Sequence, residues 1–372
     1  MSQPDLRRLA DIWDTCPSFL SIYLDLSEAL DINFIQRRRR DCERALAGDR
    51  EALLLFREAM ATAMGVLEQV GKEGAPRTRE GLAIFCSPRK NFLEVYDALR
   101  EVGNLLVFDS SPYIKPLVML SHEWEEWCVV ALDHTHARIF MVSHHRVIDR
   151  DEVVKDIIRK HRKGGMSQLR FQRLHDGYET HYFKEVAEHL VKEVEKWRAV
   201  GRFRGIILEG PSGARRELER HLPQELARLV LGRTETGGDV PEAEALRAAE
   251  AVVRKRARLQ EAELIQHLRT GILKQGLVAY GFEEVEAATA LGRADTIAIQ
   301  RNLALRGWRC ESCRAFGSGD RSTCPSCGSP PLSVDAIEEL VELAMDRRTR
   351  VEFVSPESGI SEFGGVGALL RY

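Results

Sequence analysis

The chain has 372 residues and a formal net charge of −3 at pH 7, with 44% hydrophobic and 30% charged residues. That length carries two or three domains with cores of their own, and that balance excludes a disordered chain. No apolar run approaches membrane-spanning length, and Met1-Ser2-Gln3-Pro4-Asp5 lacks a basic-then-apolar leader, so the expectation is a cytoplasmic protein with no membrane partner.

Residues 1–125 read as a first α/β domain. Residues 19–26 alternate as a strand does, and helical periodicity covers most of residues 33–70 with a compact turn around Gly48 and Asp49. A second strand starts at Gly81. Arg37, Arg38, Arg39 and Arg40 form the strongest charge run of the chain. Four consecutive arginines cannot share one helix face, so the run is either a solvated helix or a phosphate-contacting edge. The basic loop of the next domain tips the balance toward the second.

Residues 126–259 read as a second domain. Residues 127–132 and 137–142 form a predicted hairpin, joined through Asp133-His134-Thr135-His136. Next comes Arg159-Lys160-His161-Arg162-Lys163, running straight into Gly164-Gly165-Met166 and then into an amphipathic segment bearing Gln168, Arg170 and Arg173. Paired glycines let the main chain approach a ligand closely. Six Lys or Arg residues between 159 and 173 are concentrated charge on a slightly acidic body. Such a loop is either a solvated surface loop or the tip that meets a polyphosphate, RNA above all. Residues 205–213, Gly-Ile-Ile-Leu-Glu-Gly-Pro-Ser-Gly, read as a buried strand turning into a helix; the lysine of a phosphate-binding P-loop is missing. Nucleophile-elbow, zinc-protease and dinucleotide motifs are likewise missing, so enzyme chemistry independent of a larger assembly has little to rest on.

From residue 241 to about 268 alanines and leucines recur at helical spacing among charges, which predicts a long helix leading into a last domain, residues 260–372. There Cys310-x-x-Cys313 and Cys324-x-x-Cys327 are separated by ten residues. Two such hairpins offer four thiolates to one tetrahedral ion, so the spacing predicts a structural zinc in an insert at about 308–330. The ion's binding energy would be folding energy for an insert with little core.

The stretch from Lys160 to Leu169 with Tyr182-Phe183-Lys184-Glu185-Val186-Ala187-Glu188 resembles the middle domain of archaeal and eukaryotic class-one peptide release factors. Gly276-Leu277-Val278-Ala279-Tyr280-Gly281, Ala290-Leu291-Gly292-Arg293-Ala294 and the glycine-rich end from Phe363 to Tyr372 are similar to the C-terminal domain these factors share with Pelota. The resemblance includes the family's bacterial, Balon-like branch of ribosome hibernation factors. It implies a three-domain α/β architecture with a zinc-binding insert in the last domain. It also implies a ribosome-binding translation factor contacting ribosomal RNA through Arg159, Lys160, Arg162, Lys163, Gly164, Gly165, Met166, Gln168, Arg170 and Arg173. The implied partner of the last domain is a translational GTPase such as elongation factor Tu, and the factor is a monomer off the ribosome.

In that family the loop carries Gly-Gly-Gln and promotes peptidyl-tRNA hydrolysis. Here Met166 stands where glutamine would be, and its thioether cannot donate a hydrogen bond. The family's stop-codon tetrapeptide, Asn-Ile-Lys-Ser, does not occur. The resulting expectation is a factor that occupies the ribosomal A site without reading a stop codon, in hibernation or rescue. The alternative is a hydrolase in which the Gly-Gly backbone still orients water.

Overall fold

The computed structural model describes residues 5–26, 30–72, 81–98, 102–120, 126–143, 146–154, 168–199, 203–235 and 241–372. The chain forms two compact units, one of residues 1–120 with 261–372, the other of residues 121–260.

The first segment runs α1 (Leu6–Ala10), β1 (Phe19–Asp25), α2 (Ile32–Ala45), α3 (Arg50–Lys72), β2 (Gly81–Ser87), β3 (Phe92–Ala98), β4 (Leu105–Asp109) and α4 (Lys115–Met119). Its sheet has the order β3-β2-β1-β4 and is antiparallel, with Ile22 opposite both Ile84 and Leu106. A central strand covered on both faces is apolar on both, and residues 19–24 are all buried. Helix α3 lays Phe56, Ala59, Met60, Ala63 and Leu67 on one face of the sheet, the spacing of a single helical stripe. The expected turn is there: residues 46–49 separate α2 from α3, and the Asp49 carboxylate accepts the Ala52 N–H at 3.0 Å to cap α3.

Residues 121–260 hold β5 (Glu126–Leu132), β6 (His136–Ser143), β7 (Arg146–Val154), α5 (Gln168–Arg198), β8 (Phe203–Glu209), α6 (Ser212–His221), α7 (Gln224–Ala227), β9 (Val230–Thr234) and the first part of α8 (Glu242–Leu273). The sheet order is β7-β6-β5-β8-β9; β5, β8 and β9 are parallel, while β6 and β7 run antiparallel. Strand alternation sorts β5 between two layers. Cys128, Val130 and Leu132 pack with α5 and α6, whereas Val129 and Ala131 pack with Ala245 and Ala249 of α8. Gly210 ends β8 at φ +130°, where an added Cβ would stand 1.9 Å from the Leu132 carbonyl oxygen, so only glycine fits.

The last segment takes the end of α8, then β10 (Val278–Tyr280), α9 (Phe282–Ala290), β11 (Ala294–Gln300), β12 (Arg306–Arg309), β13 (Phe316–Ser318), β14 (Leu332–Asp335), α10 (Ala336–Asp346), β15 (Arg350–Val354) and β16 (Val366–Leu370). Its main sheet is β10-β16-β11-β15, and the glycine-rich end of the chain is the inner strand β16. A separate three-stranded sheet, β13-β12-β14, carries the cysteines. The fold class is α/β throughout, with the cysteine module inserted between β11 and α10.

Candidate functional site

The Gly-Gly loop lies outside the described residues, and with it Arg159, Lys160, Arg162, Lys163, Gly164, Gly165 and Met166. Its two stems are described. Strand β7 enters it at Val154, and α5 leaves it at Gln168, with Arg170 and Arg173 in the opening turns of the helix.

The stems are tied to each other by side chains farther along. His189 Nδ1 of α5 lies 2.9 Å from Asp151 of β7. The Asp149 carboxylate accepts Lys196 Nζ at 2.6 Å and Trp197 Nε1 at 3.3 Å, and the Lys196 bond above all holds it below the usual carboxylate range. Beneath, Tyr182, Phe183, Val186, Leu190, Val194 and Trp197 form the buried stripe of α5 against the sheet.

The arginine run divides as its spacing requires. Arg38 turns inward and donates to the Leu106 carbonyl at 3.3 Å; Arg39 meets Glu43 at 3.4 Å. Arg37 and Arg40 face outward and, with Asp41, Glu43, Arg44 and Ala47, line an open groove of about 740 Å³. Arg37, Arg39 and Arg40 are exposed, Arg40 donating to the Gln36 carbonyl at 3.2 Å, so Arg38 alone of the four is turned from solvent.

The four cysteines come together. All four Sγ atoms lie within 4.8 Å of one another; Cys310 to Cys327 is 3.4 Å and Cys313 to Cys324 is 3.5 Å. A tetrahedral thiolate site with ~2.3 Å bonds needs sulfurs ~3.8 Å apart, so the donor set fits one ion. The two hairpins are built alike. Arg314 N–H donates to the Cys310 carbonyl at 2.8 Å, and Gly328 N–H to the Cys324 carbonyl at 2.9 Å. Both residues after the second cysteine are left-handed, Arg314 at φ 60° and Gly328 at φ 77°. The four thiols act on one another: the Ser329 hydroxyl and backbone N–H draw Cys327 down and Cys324 is drawn down as well, while burial and the hydrogen bonds among the sulfurs push Cys313 up. The module's own apolar core is only Trp308, Cys310 and Cys324 with Ala315 against them.

Sequence reasoning missed a buried ionic cluster that joins the two segments of the first unit. Arg309, immediately before Cys310, donates to Asp109, to Glu339 at 2.7 Å and to Glu311 at 2.9 Å. Glu338 accepts the backbone N–H groups of Ile114 at 2.6 Å and Lys115 at 2.8 Å. Ser111 Oγ donates to Glu342 at 2.7 Å, and Lys115 pairs with Asp335. Burial pushes the carboxyls of Glu338, Glu339 and Glu342 up, against the pull of these donors. In sequence, Glu338-Glu339 and Glu342 look like the solvated charges of any helix, and no local pattern marks them as buried.

The family profile described as bacterial archaeo-eukaryotic release factor family 10 matches residues 112–254, and that of eRF1 domain 3 matches residues 258–372. Peptide chain release factor subunit 1 of Thermococcus onnurineus (strain NA1) is 28% identical over 293 residues, covering 71% of this chain and 70% of that protein. The protein of the same name from Methanococcoides burtonii (strain DSM 6242 / NBRC 107633 / OCM 468 / ACE-M) is 29% identical over 299 residues, with 71% and 70% covered. A structure of ribosome-bound archaeal Pelota and ABCE1 aligns over 100% of this chain and 94% of its own, at 14% identity and a TM-score of 0.42. The two profiles, both of release-factor families and together spanning residues 112–254 and 258–372, make the chain a member of the archaeo-eukaryotic release-factor family.

Proposed function

We propose that the chain is a ribosome-binding translation factor that occupies the A site without reading a stop codon, acting in hibernation or rescue. One observation supports the reading: α2 and α3 are joined by residues 46–49 alone, capped by Asp49, and by the resemblance this compact turn stands where release factors carry their decoding tetrapeptide, which argues against codon reading. Met166 in the family's glutamine position agrees with occupancy rather than hydrolysis. In this reading the basic residues from Arg159 to Arg173, with Arg37 and Arg40, meet ribosomal RNA phosphates. Cys310, Cys313, Cys324 and Cys327 hold a structural zinc. The division into domains at 125/126 and 259/260 belongs to the same reading, the last domain meeting a translational GTPase in the cytoplasm.

The retained Gly164-Gly165 pair supports the second reading, a hydrolase whose main chain still positions water. One experiment separates them. Purified protein is added to vacant ribosomes and to ribosomes carrying peptidyl-tRNA with an empty A site, and co-sedimentation and peptide release are measured together. Binding without release is expected. Release that vanishes when Gly164 and Gly165 are replaced would make the protein a hydrolase, and absence of binding to either sample would overturn both readings.

A further inference from the structure

The cysteine module does more than stabilise itself. Two of its cations reach the first segment of the chain, and each is adjacent to a metal-ligating position. Arg309 precedes Cys310 and carries its guanidinium to Asp109 at the end of β4. Arg314 follows Cys313, and its guanidinium lies 5.0 Å from the centroid of the Trp13 ring, a cation–π contact. The hairpin turn that Arg314 N–H closes on Cys310 sets the direction in which that side chain leaves.

The charges around Arg309 are unbalanced. The Arg309 side chain is 3% exposed and faces the carboxylates of Asp109, Glu311 and Glu339, which are 22%, 17% and 6% exposed. One guanidinium holds three carboxylates, and Glu338 and Glu342 lie buried on the same helix. With Arg309 in place Asp109, Glu311 and Glu339 share one guanidinium; with it withdrawn they lose their common counter-ion in a largely buried site. Arg309 is the last residue of β12, and β12 continues directly into the first ligand. A module with so small a core keeps its shape through its ion.

We propose that the four-cysteine module is a metal-operated latch, which with an ion on Cys310, Cys313, Cys324 and Cys327 holds residues 5–120 against residues 261–372, and on metal loss lets them part. The proposal rests on the reading of the four thiolates as a zinc site. The first segment is thereby free to be re-placed without unfolding, because its sheet and α3 have their own core.

The reporters are the Ile114 and Lys115 amides, which donate across the docked surface to Glu338. Hydrogen exchange is measured on the full chain with zinc bound, after stripping with a chelator, and in Arg309→Gln, with zinc content determined in each sample. Stripping should speed exchange at Ile114 and Lys115 at least about tenfold while the β1 amides stay protected. Arg309→Gln should speed the same two amides and still hold about one zinc per chain. Unchanged exchange on stripping overturns the latch and leaves the zinc site standing. Loss of β1 protection on stripping also counts against it, since the segment would then unfold rather than part, and so does Arg309→Gln with zinc held and exchange unchanged. A chain that takes up no zinc when supplied with it overturns the zinc reading and the latch together.

Discussion

The Glu338 carboxylate accepts the backbone N–H of Ile114 at 2.6 Å, although the two residues are 224 positions apart. Ile114 is the N-cap of α4 and has no capping side chain of its own, and the next amide, Lys115, falls to the other oxygen of the same carboxylate. A helix start in the first segment is thus capped from α10 in the last. Glu338→Ala leaves the buried Ile114 amide and the half-buried Lys115 amide without this acceptor and should cost about 1–3 kcal/mol. Urea unfolding of the full chain, followed by a probe in residues 5–120, reads it.

Glu209 is fully buried at the end of β8, and among the described residues neither of its carboxylate oxygens meets a hydrogen-bond donor in good geometry. Burial raises its carboxyl to about 7; the nearby Thr234 hydroxyl pulls the other way and Glu244 adds to the rise. A carboxyl with a higher pKa folded than unfolded keeps an extra proton in the native state. Its contribution to stability therefore falls as pH rises from about 4.5 to about 7 and is constant beyond. Glu209→Gln should match the wild type near pH 4 and exceed it by about 1–3 kcal/mol at pH 8. Equal stability at both pH values would count against a buried carboxyl at this position.

Gly210, next in the chain, is the position where backbone geometry admits no side chain. Gly210→Ala forces a Cβ against the Leu132 carbonyl oxygen at φ +130° and should destabilise residues 121–260 by at least about 2 kcal/mol. Gly213→Ala nearby serves as the control, because its Cβ would meet nothing nearer than 3.6 Å.

Metal analysis of the purified protein should find about one zinc per chain. Cys310→Ser with Cys313→Ser should remove it and unfold the module, while residues 121–260, whose core contains none of the four cysteines, keep their unfolding midpoint.

Ribosome binding should weaken with salt, and replacing Arg170 and Arg173 by Gln should flatten that dependence by roughly one to two units of log–log slope. Arg37→Gln with Arg40→Gln tests the groove on α2 in the same assay. Arg38→Gln should leave the slope unchanged, because Arg38 is turned inward to the Leu106 carbonyl.

Much of the architecture is written in local pattern. The alternation at residues 19–26 became β1, the periodicity of 33–70 became α2 and α3 with the break at 46–49, and the charged stretch from 241 became α8. Those features are legible because a strand or helix repeats its buried face every two or about 3.6 residues. The four cysteines were legible for a different reason: thiolate chemistry and hairpin geometry constrain spacing within a few residues. What pattern could not supply is the meeting of distant charges. Arg309 and Asp109 are 200 positions apart, and nothing near either one marks it as the other's partner, since a charge's fate depends on which other charge the fold brings to it. The same holds within the arginine run, where helical period alone says that the four diverge, but only the packing of α2 on β4 turns Arg38 inward and leaves Arg37, Arg39 and Arg40 outside. The sequence by itself determined the main strands and helices, the four clustered cysteines and the family; the tertiary structure alone decided which charges are buried together, because burial is a property of the packed chain and not of any stretch of it.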